Sequence, residues 1–196
     1  SDKNVEAFNS LGDFYYKKED YLKAKKYYEL AAQQNDSYGL VSLGGLYYNG
    51  FGFEKDYLNA KEKFELAIKQ NDASAFNNLG FMYFHGNGVK QNYSRAISYY
   101  KASSYLFNSI ALVNLADIYY SGIGAKKDIV KSKECLKLAI YQNNVSAFYM
   151  YGNILFREEN YLKAKKYYEL AVNKKHSLAC ENLGYLYDEG FGVDID

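Results

Sequence analysis

The chain has 196 residues, 48% of them hydrophobic and 24% charged, and 24 basic against 23 acidic side chains leave a formal net charge of +1. This is a globular composition, long enough for one domain or a stack of small units, and its charge balance gives no electrostatic footing for nucleic acid or an anionic membrane. No apolar run approaches the ~18 residues of a membrane span, the start SDKNVEAF is too polar for a signal peptide, and two cysteines without ligand spacing exclude a dense disulfide framework.

Proline and tryptophan are absent, whereas tyrosine occurs 24 times and glycine 15 times. Proline inside a helix costs about 3 kcal/mol, so a chain without it is compatible with helix almost throughout, and the glycines serve as punctuation. The letters YLKAKKYYELA occur twice, at 21–31 and 161–171. A reacting group is needed once, so a verbatim copy points to architecture and to an array.

Six units follow in chain order, aligned on Gly12, Gly44, Gly80, Ala116, Gly152 and Gly184 at steps of 32, 36, 36, 36 and 32. The repeats are expected at about 4–35, 36–71, 72–107, 108–143, 144–175 and 176–196 within one repeat domain, 1–196, the sixth truncated after its first helix. In the first, Ala7, Leu11 and Tyr15 stand four apart and share one face of a helix A. Helix B follows with Ala24, Tyr28 and Ala31. The second unit has Gly39, Leu43 and Tyr47, then Ala60, Phe64 and Ala67; the third has Ala75, Leu79 and Tyr83, then Ala96, Tyr100 and Ser103. The fourth carries Ala111, Leu115 and Tyr119 with Ser132, Leu136 and Ala139, and the fifth Ala147, Tyr151 and Leu155 with Ala164, Tyr168 and Ala171. The sixth shows helix A alone, with Ala179, Leu183 and Tyr187. Small residues at such positions let helices approach while large ones fill the groove between them. Asp20, Asp56, Asn92, Asp128 and Asn160 precede the B helices as N-caps, and Asn4, Asp36, Asp72, Asn108 and Asn144 stand near the starts of the A helices, with Ser177 beside His176 in the sixth unit.

Leu-Gly-x-x-Tyr, a Gly-x-Gly turn, an acidic or amide cap and Ala-x-x-Tyr-Tyr or Ala-x-x-x-Phe recur in that order, most fully in NLGFMYFHGNGVKQNYSRAISYYKAS from Asn78. In this pattern the chain resembles the Sel1-like repeat family, relatives of the tetratricopeptide repeats. The resemblance implies an all-α fold, a right-handed α-solenoid of antiparallel helix pairs, serving as a non-enzymatic protein-binding scaffold or adaptor without cofactor or metal. Units one and five depart from it: YYKKEDY and LFREENY lack the Gly-x-Gly insert, which accounts for the steps of 32. The paired cysteines of some secreted relatives are also missing. Cys180 falls in the column of Phe8, Leu40, Phe76, Leu112 and Phe148 and is expected as a buried thiol.

Other chemical signals are weaker than their structural readings. The Gly-x-Gly pairs follow helix ends, whereas a phosphate loop leads from a strand into a helix N-terminus; positive φ at a helix stop explains them. Ser98 and Lys101 match Ser-x-x-Lys without the companion motifs of penicillin-recognising enzymes. His85 and His176 are far apart and lack an acidic or thiol cluster at ligand spacing. Lys23, Lys25, Lys26, Lys163, Lys165 and Lys166 read as solvated helix surface.

Positions that vary between units while facing outwards are the ones free to select a partner. Carrying the tetratricopeptide groove positions across marks Asn9, Asp13, Tyr16, Tyr48, Asn77, Phe81, Phe84, Asp117, Tyr120, Tyr149, Asn153, Phe156, Arg157 and Tyr185, with Val41, Val113, Glu181 and Asp188 in the same columns. Tyr16, Tyr48, Phe84, Tyr120 and Phe156 form one aromatic column, either an interface stripe or padding between A helices. Asn77 and Asn153 are candidates to hold a partner backbone through their amides. The expected partner is a protein or peptide bound on the concave helix-A surface by a monomer, with no nucleic acid and no membrane span. A secreted or host-directed effector on the same scaffold is the alternative, and a hydrolase like that claimed for cysteine-rich relatives is disfavoured because no nucleophile–base pair is evident. Localisation stays open between cytoplasm and, given a leader outside this stretch, secretion.

Overall fold

Short acceptor side chains set the helix starts. In the computed structural model, which describes residues 2–191, eleven helices and no strand occur among the described residues. The A helices are α1 (Asp2–Lys17), α3 (Ser37–Asn49), α5 (Ala73–His85), α7 (Ser109–Ser121), α9 (Val145–Arg157) and α11 (Ser177–Asp188); the B helices are α2 (Tyr21–Ala32), α4 (Tyr57–Ile68), α6 (Tyr93–Tyr105), α8 (Ile129–Tyr141) and α10 (Tyr161–Val172). Asp36, Asp72 and Asn144 accept the N–H of Gly39, Ala75 and Ala147 at 2.8, 2.9 and 3.2 Å. Asp20, Asp56, Asn92 and Asp128 do the same for Lys23, Asn59, Arg95 and Lys131 at 3.2, 2.9, 2.9 and 3.0 Å. The Lys23 ammonium at Asp20, and the backbone N–H groups of Asn59 at Asp56 and of Lys131 at Asp128, hold these carboxyls below the usual range.

Three expected caps differ. Asn4 lies inside α1, two residues past its start. Asn160 occupies the N-cap position without a side-chain bond. Ser177 is the first helical residue of α11, whose opening turn is closed by the Ala179 N–H on the His176 carbonyl at 3.2 Å.

Two compact units are present, Ser1–Asn108 with α1 to α6 and Ser109–Asp196 with α7 to α11. Within each, every helix packs against its neighbours in chain order, A on B of its own repeat and B on the next A. The A-to-B crossings come in two lengths, three residues at 18–20 and 158–160 and seven at 50–56, 86–92 and 122–128. Both lengths end on the same anchor. The cap N–H of Asp20, Asp56, Asn92, Asp128 and Asn160 donates to the carbonyl of Tyr15, Tyr47, Tyr83, Tyr119 and Leu155 at 2.8–3.0 Å, one column of the repeat. The four extra residues are an excursion that leaves the hairpin unchanged. Gly50 and Gly86 supply its left-handed helix stop, at φ 70° and 74°, while Glu19 and Glu159 take φ 59° and 58° in the short crossings.

The small-residue columns form the centre of each hairpin. Ala24, Ala60, Ala96 and Ala164 are fully buried, and so is Ser132, whose hydroxyl donates to the Ala116 carbonyl at 2.8 Å. Ser103 is satisfied in the same way by the Ala73 carbonyl at 2.6 Å. The large rings of helix B press on the glycine of helix A: a Cβ on Gly44 or Gly80 would stand 2.6 Å from Phe64 Cε1 or 2.8 Å from Tyr100 Cδ1. In the fourth repeat Ala116 fills that place and faces Leu136 within one buried cluster. Cover is thinner on the first and last helices, where Leu11 and Tyr187 are exposed. Cys180, expected as a buried thiol, is exposed too, its Sγ 3.6 Å from the His176 carbonyl. Leu40 and Phe148 in its column are buried among the B helices around them, whereas α11 has no helix B of its own repeat beside it among the described residues.

The duplicated letters have a visible purpose. Tyr21, first residue of α2, stacks on Phe51 of the following repeat at 4.8 Å, and Tyr161, first of α10, stacks on Phe191 at 4.4 Å. Lys25 lies over Tyr47 at 4.9 Å and Lys165 over Tyr187 at 4.6 Å. The copied helix therefore carries one and the same seat for the next repeat in both units.

Candidate functional site

The aromatic column is half surface and half joint. In the first unit Tyr16 sets its edge against Tyr21 at 5.5 Å and Phe51 at 6.0 Å, Tyr48 meets Tyr57 at 5.2 Å and Phe81 at 6.0 Å, and Phe84 meets Tyr93 at 5.2 Å. In the second unit Phe156 meets Tyr161 at 5.3 Å and Tyr185 at 6.0 Å. Each such ring leans on the first residue of its own helix B and, for Tyr16, Tyr48 and Phe156, on the next repeat. Tyr120 differs because Ile129 opens its helix B; the Lys127 ammonium sits over its ring at 5.6 Å instead.

Among the other marked positions, Asn9 donates from Nδ2 to Asp36 at 2.8 Å. Phe81 is exposed and tilts over His85 at 4.2 Å, Tyr149 stacks on His176 at 4.6 Å, and Asp117 is exposed on α7. Asn77 is buried, with 8% of its surface exposed; a partner's backbone would reach its amide only after neighbours moved.

Six of the marked residues converge in the second unit. Tyr120 of α7, Tyr149, Asn153, Phe156 and Arg157 of α9, and Tyr185 of α11 line a concave cavity of about 470 Å³, completed by Tyr168 and Asn182. Tyr168 belongs to helix B, and its phenol reaches the A-helix side because Gly152 leaves the way clear. There its hydroxyl donates to Asn153 Oδ1 at 2.8 Å, and Asn182 Nδ2 donates to the same oxygen at 2.8 Å. Burial pushes the Tyr168 phenol up to about 12, so it stays a neutral donor. Sequence reasoning passed over Tyr168 and Asn182, the first because its ring reads as core and the second because its column, Ser10, Ser42, Asn78, Asn114, Met150 and Asn182, lies outside the groove positions carried across. The available signal was a tyrosine opposite a glycine that is followed by Asp or Asn, as at Tyr28, Gly12 and Asp13.

That second set builds a counterpart cleft of about 550 Å³ in the first unit, lined among others by Asp13, Tyr16, Lys17, Tyr28 and Tyr38. Asp13 accepts from Tyr28 at 2.7 Å and from Tyr38 at 2.8 and 2.9 Å. Burial, followed by the hydrogen bond to Asp13, raises the Tyr28 and Tyr38 phenols. Among the described residues no group of three or more His, Cys, Asp or Glu side chains is placed to hold a metal ion, and no helix is long and apolar enough to cross a membrane.

The Sel1 repeat pattern matches residues 8–36, 37–72, 73–106, 109–144, 141–176 and 177–196. The chain belongs to the Sel1 repeat family. Like the Sel1 repeat protein from Oxalobacter formigenes, with which it shares 26% identity and a TM-score of 0.84 over 98% of this chain and 82% of that one, it is an α-solenoid of helix pairs. A protective antigen of uropathogenic Escherichia coli strains, displaying an SLR fold, is 29% identical with a TM-score of 0.72 over 97% of this chain. The Sel1 repeats also match the ERAD-associated E3 ubiquitin-protein ligase component HRD3 of Candida glabrata, at 40% identity over 58 residues. The aligned stretch is 7% of that ligase component, and the match to the antigen covers 43% of its chain. A protein-binding scaffold role is consistent with the Sel1 repeat family, whose scaffolds are generally non-catalytic.

Proposed function

We propose that this Sel1 repeat chain is a non-enzymatic interaction module that binds a peptide or protein partner across its A helices, with the cavity between α7, α9 and α11 as the anchor point. The observation that carries this reading is the convergence of aromatic and amide side chains from three successive A helices on one cavity. Aromatic anchors in a pocket are where binding energy concentrates, and the copied B helices leave the A positions free to differ. The Candida glabrata relative is by name a component of a ligase; membership of an assembly is the part of that description a helical scaffold would carry.

The test is affinity capture with the full-length protein followed by mass spectrometry, repeated with Tyr120→Ala combined with Tyr185→Ala. Proteins held by the parent and lost by the double variant, at unchanged thermal stability, support the cavity as the anchor. Retention of the same proteins by the folded double variant places the binding surface elsewhere.

A further inference from the structure

Resting on that reading, the comparison of the two duplicated frameworks says what kind of group the cavity takes. Repeats one and five share helix B letter for letter over YLKAKKYYELA, so Asp13 and Asn153, and Lys17 and Arg157, occupy matching places. In the first unit the position after the glycine is a carboxylate, which only accepts, and its two oxygens are engaged by the Tyr28 and Tyr38 hydroxyls. In the second it is an amide whose Oδ1 is taken by two donors, Tyr168 Oη and Asn182 Nδ2. What Asn153 has left is its NH2 group, which makes no hydrogen bond among the described residues. One helical turn on, Arg157 is exposed and pairs with no acid among the described residues, while neighbouring Glu158 is engaged by Lys133 at 2.6 Å. Among the described residues Arg157 carries the one formal charge in the cavity lining, beside five aromatic rings and two amides.

We infer that the cavity is a subsite for an acidic side chain of an extended peptide segment, its carboxylate held by Arg157 and Asn153 Nδ2 and a neighbouring apolar residue among the rings, with residue 153 setting the charge preference. A guanidinium and an amide together suit a carboxylate, and charge-assisted bonds of this kind are roughly twice as strong as neutral ones. Packed helix axes lie about 8–10 Å apart and an extended residue spans about 3.3 Å, so a lining that runs over three A helices matches several residues of an extended segment. The first-unit cleft keeps a cation in Lys17 but has the Asp13 carboxylate in place of the amide, so an incoming carboxylate meets a like charge where Asn153 offers a donor.

The experiment uses the pentapeptide Gly-Phe-Glu-Leu-Gly, acetylated and amidated, beside its Gln form, with the side-chain amide NMR signals of Asn153 and Asn182 as readout. The Glu peptide is expected to shift both signals and to bind about ten-fold more tightly than the Gln peptide. Arg157→Gln and Asn153→Asp are each expected to erase the difference; aspartate retains acceptors for Tyr168 and Asn182, and unchanged thermal unfolding verifies the fold. Equal affinities of the two peptides, or shifts confined to the Tyr28 and Tyr38 cleft, overturn the inference. So does preference for a Gln peptide with a free C-terminus over the blocked Glu peptide, since the terminal carboxylate is then the group recognised. If the peptides bind alike while Tyr120→Ala with Tyr185→Ala still abolishes partner capture, the anchor stands and only the charge preference falls.

Discussion

The ring of Tyr168 lies where a side chain on Gly152 would have to stand: a Cβ there would come within 2.7 Å of Cε1 and 2.8 Å of Cδ1. The ring is 1% exposed and its hydroxyl is tied to Asn153 at 2.8 Å, so moving it aside breaks that bond. Gly152→Ala should therefore destabilise the chain by about 1–3 kcal/mol through overpacking, although alanine is the better helix former by ~1 kcal/mol. Urea unfolding should show a lower midpoint at an unchanged slope.

The fourth repeat supplies the reverse case. Ala116 is tolerated because Leu136 replaces the ring. Leu136→Tyr alone should destabilise, and adding Ala116→Gly should recover most of the loss. Additive effects of the two changes in a double-mutant cycle would show that the residues do not press on each other.

Alkali should weaken the fold through its buried phenols. Burial raises Tyr168 from 10.0 to about 12, and Tyr28 moves in the same direction. A raised value means that the folded chain keeps the proton after the unfolded chain has released it. The stabilisation is complete below pH 10.0 and is lost as pH rises towards about 12. Tyr168→Phe should lose about 1 kcal/mol at neutral pH with the bond to Asn153 and show a shallower decline across that window. Denaturation midpoints measured through the window decide it; an equally steep decline in the variant would rule out this phenol as a source.

The caps separate two asparagines that look alike in sequence. Asn144 accepts the Ala147 N–H and donates to Ser109 Oγ at 3.0 Å, whereas Asn160 makes no side-chain cap bond. Asn144→Ala should cost about 1 kcal/mol and Asn160→Ala clearly less. Thermal unfolding of the two variants side by side gives the order.

Every B helix ends in a left-handed residue, and one of them is poorly chosen. Asn35, Asn71 and Asn143 hold φ of 57°, 58° and 64°, but Phe107 takes 61° with 83% of its surface exposed. Asparagine and phenylalanine both carry the strained Cβ, but a short amide can hydrogen-bond the local backbone in this conformation and a phenyl ring cannot. Phe107→Asn should stabilise by about 0.5–1 kcal/mol, read as a higher melting temperature, and no change would mean that the ring has a contact worth as much as that bond.

The helix pairs were legible because each is written locally: Ala24 and Tyr28, or Ala60 and Phe64, declare a face by their spacing alone. The cavity was legible in part. Its A-helix side chains, such as Phe156 and Arg157, stand in columns that vary between units. Tyr168 and Asn182 were not, because their role depends on a phenol crossing beneath Gly152 to meet the next repeat, a relation between residues 153, 168 and 182 that no single period contains. Cys180 and Asn77 misled for a related reason. A column predicts a residue's direction, while its exposure depends on which helices lie beside it.

Since the carbonyls of Tyr15 and Tyr47 hold the far end of a crossing alike whether three or seven residues intervene, these crossings can lengthen at little thermodynamic expense, about 0.6 kcal/mol per doubling of a flexible loop. Evolving copies can gain or shed letters there without re-registering the stack. For the same reason a foreign epitope or protease site inserted between the exposed residues Lys90 and Gln91, with Gly86 and Asn92 kept, would be displayed on an intact array.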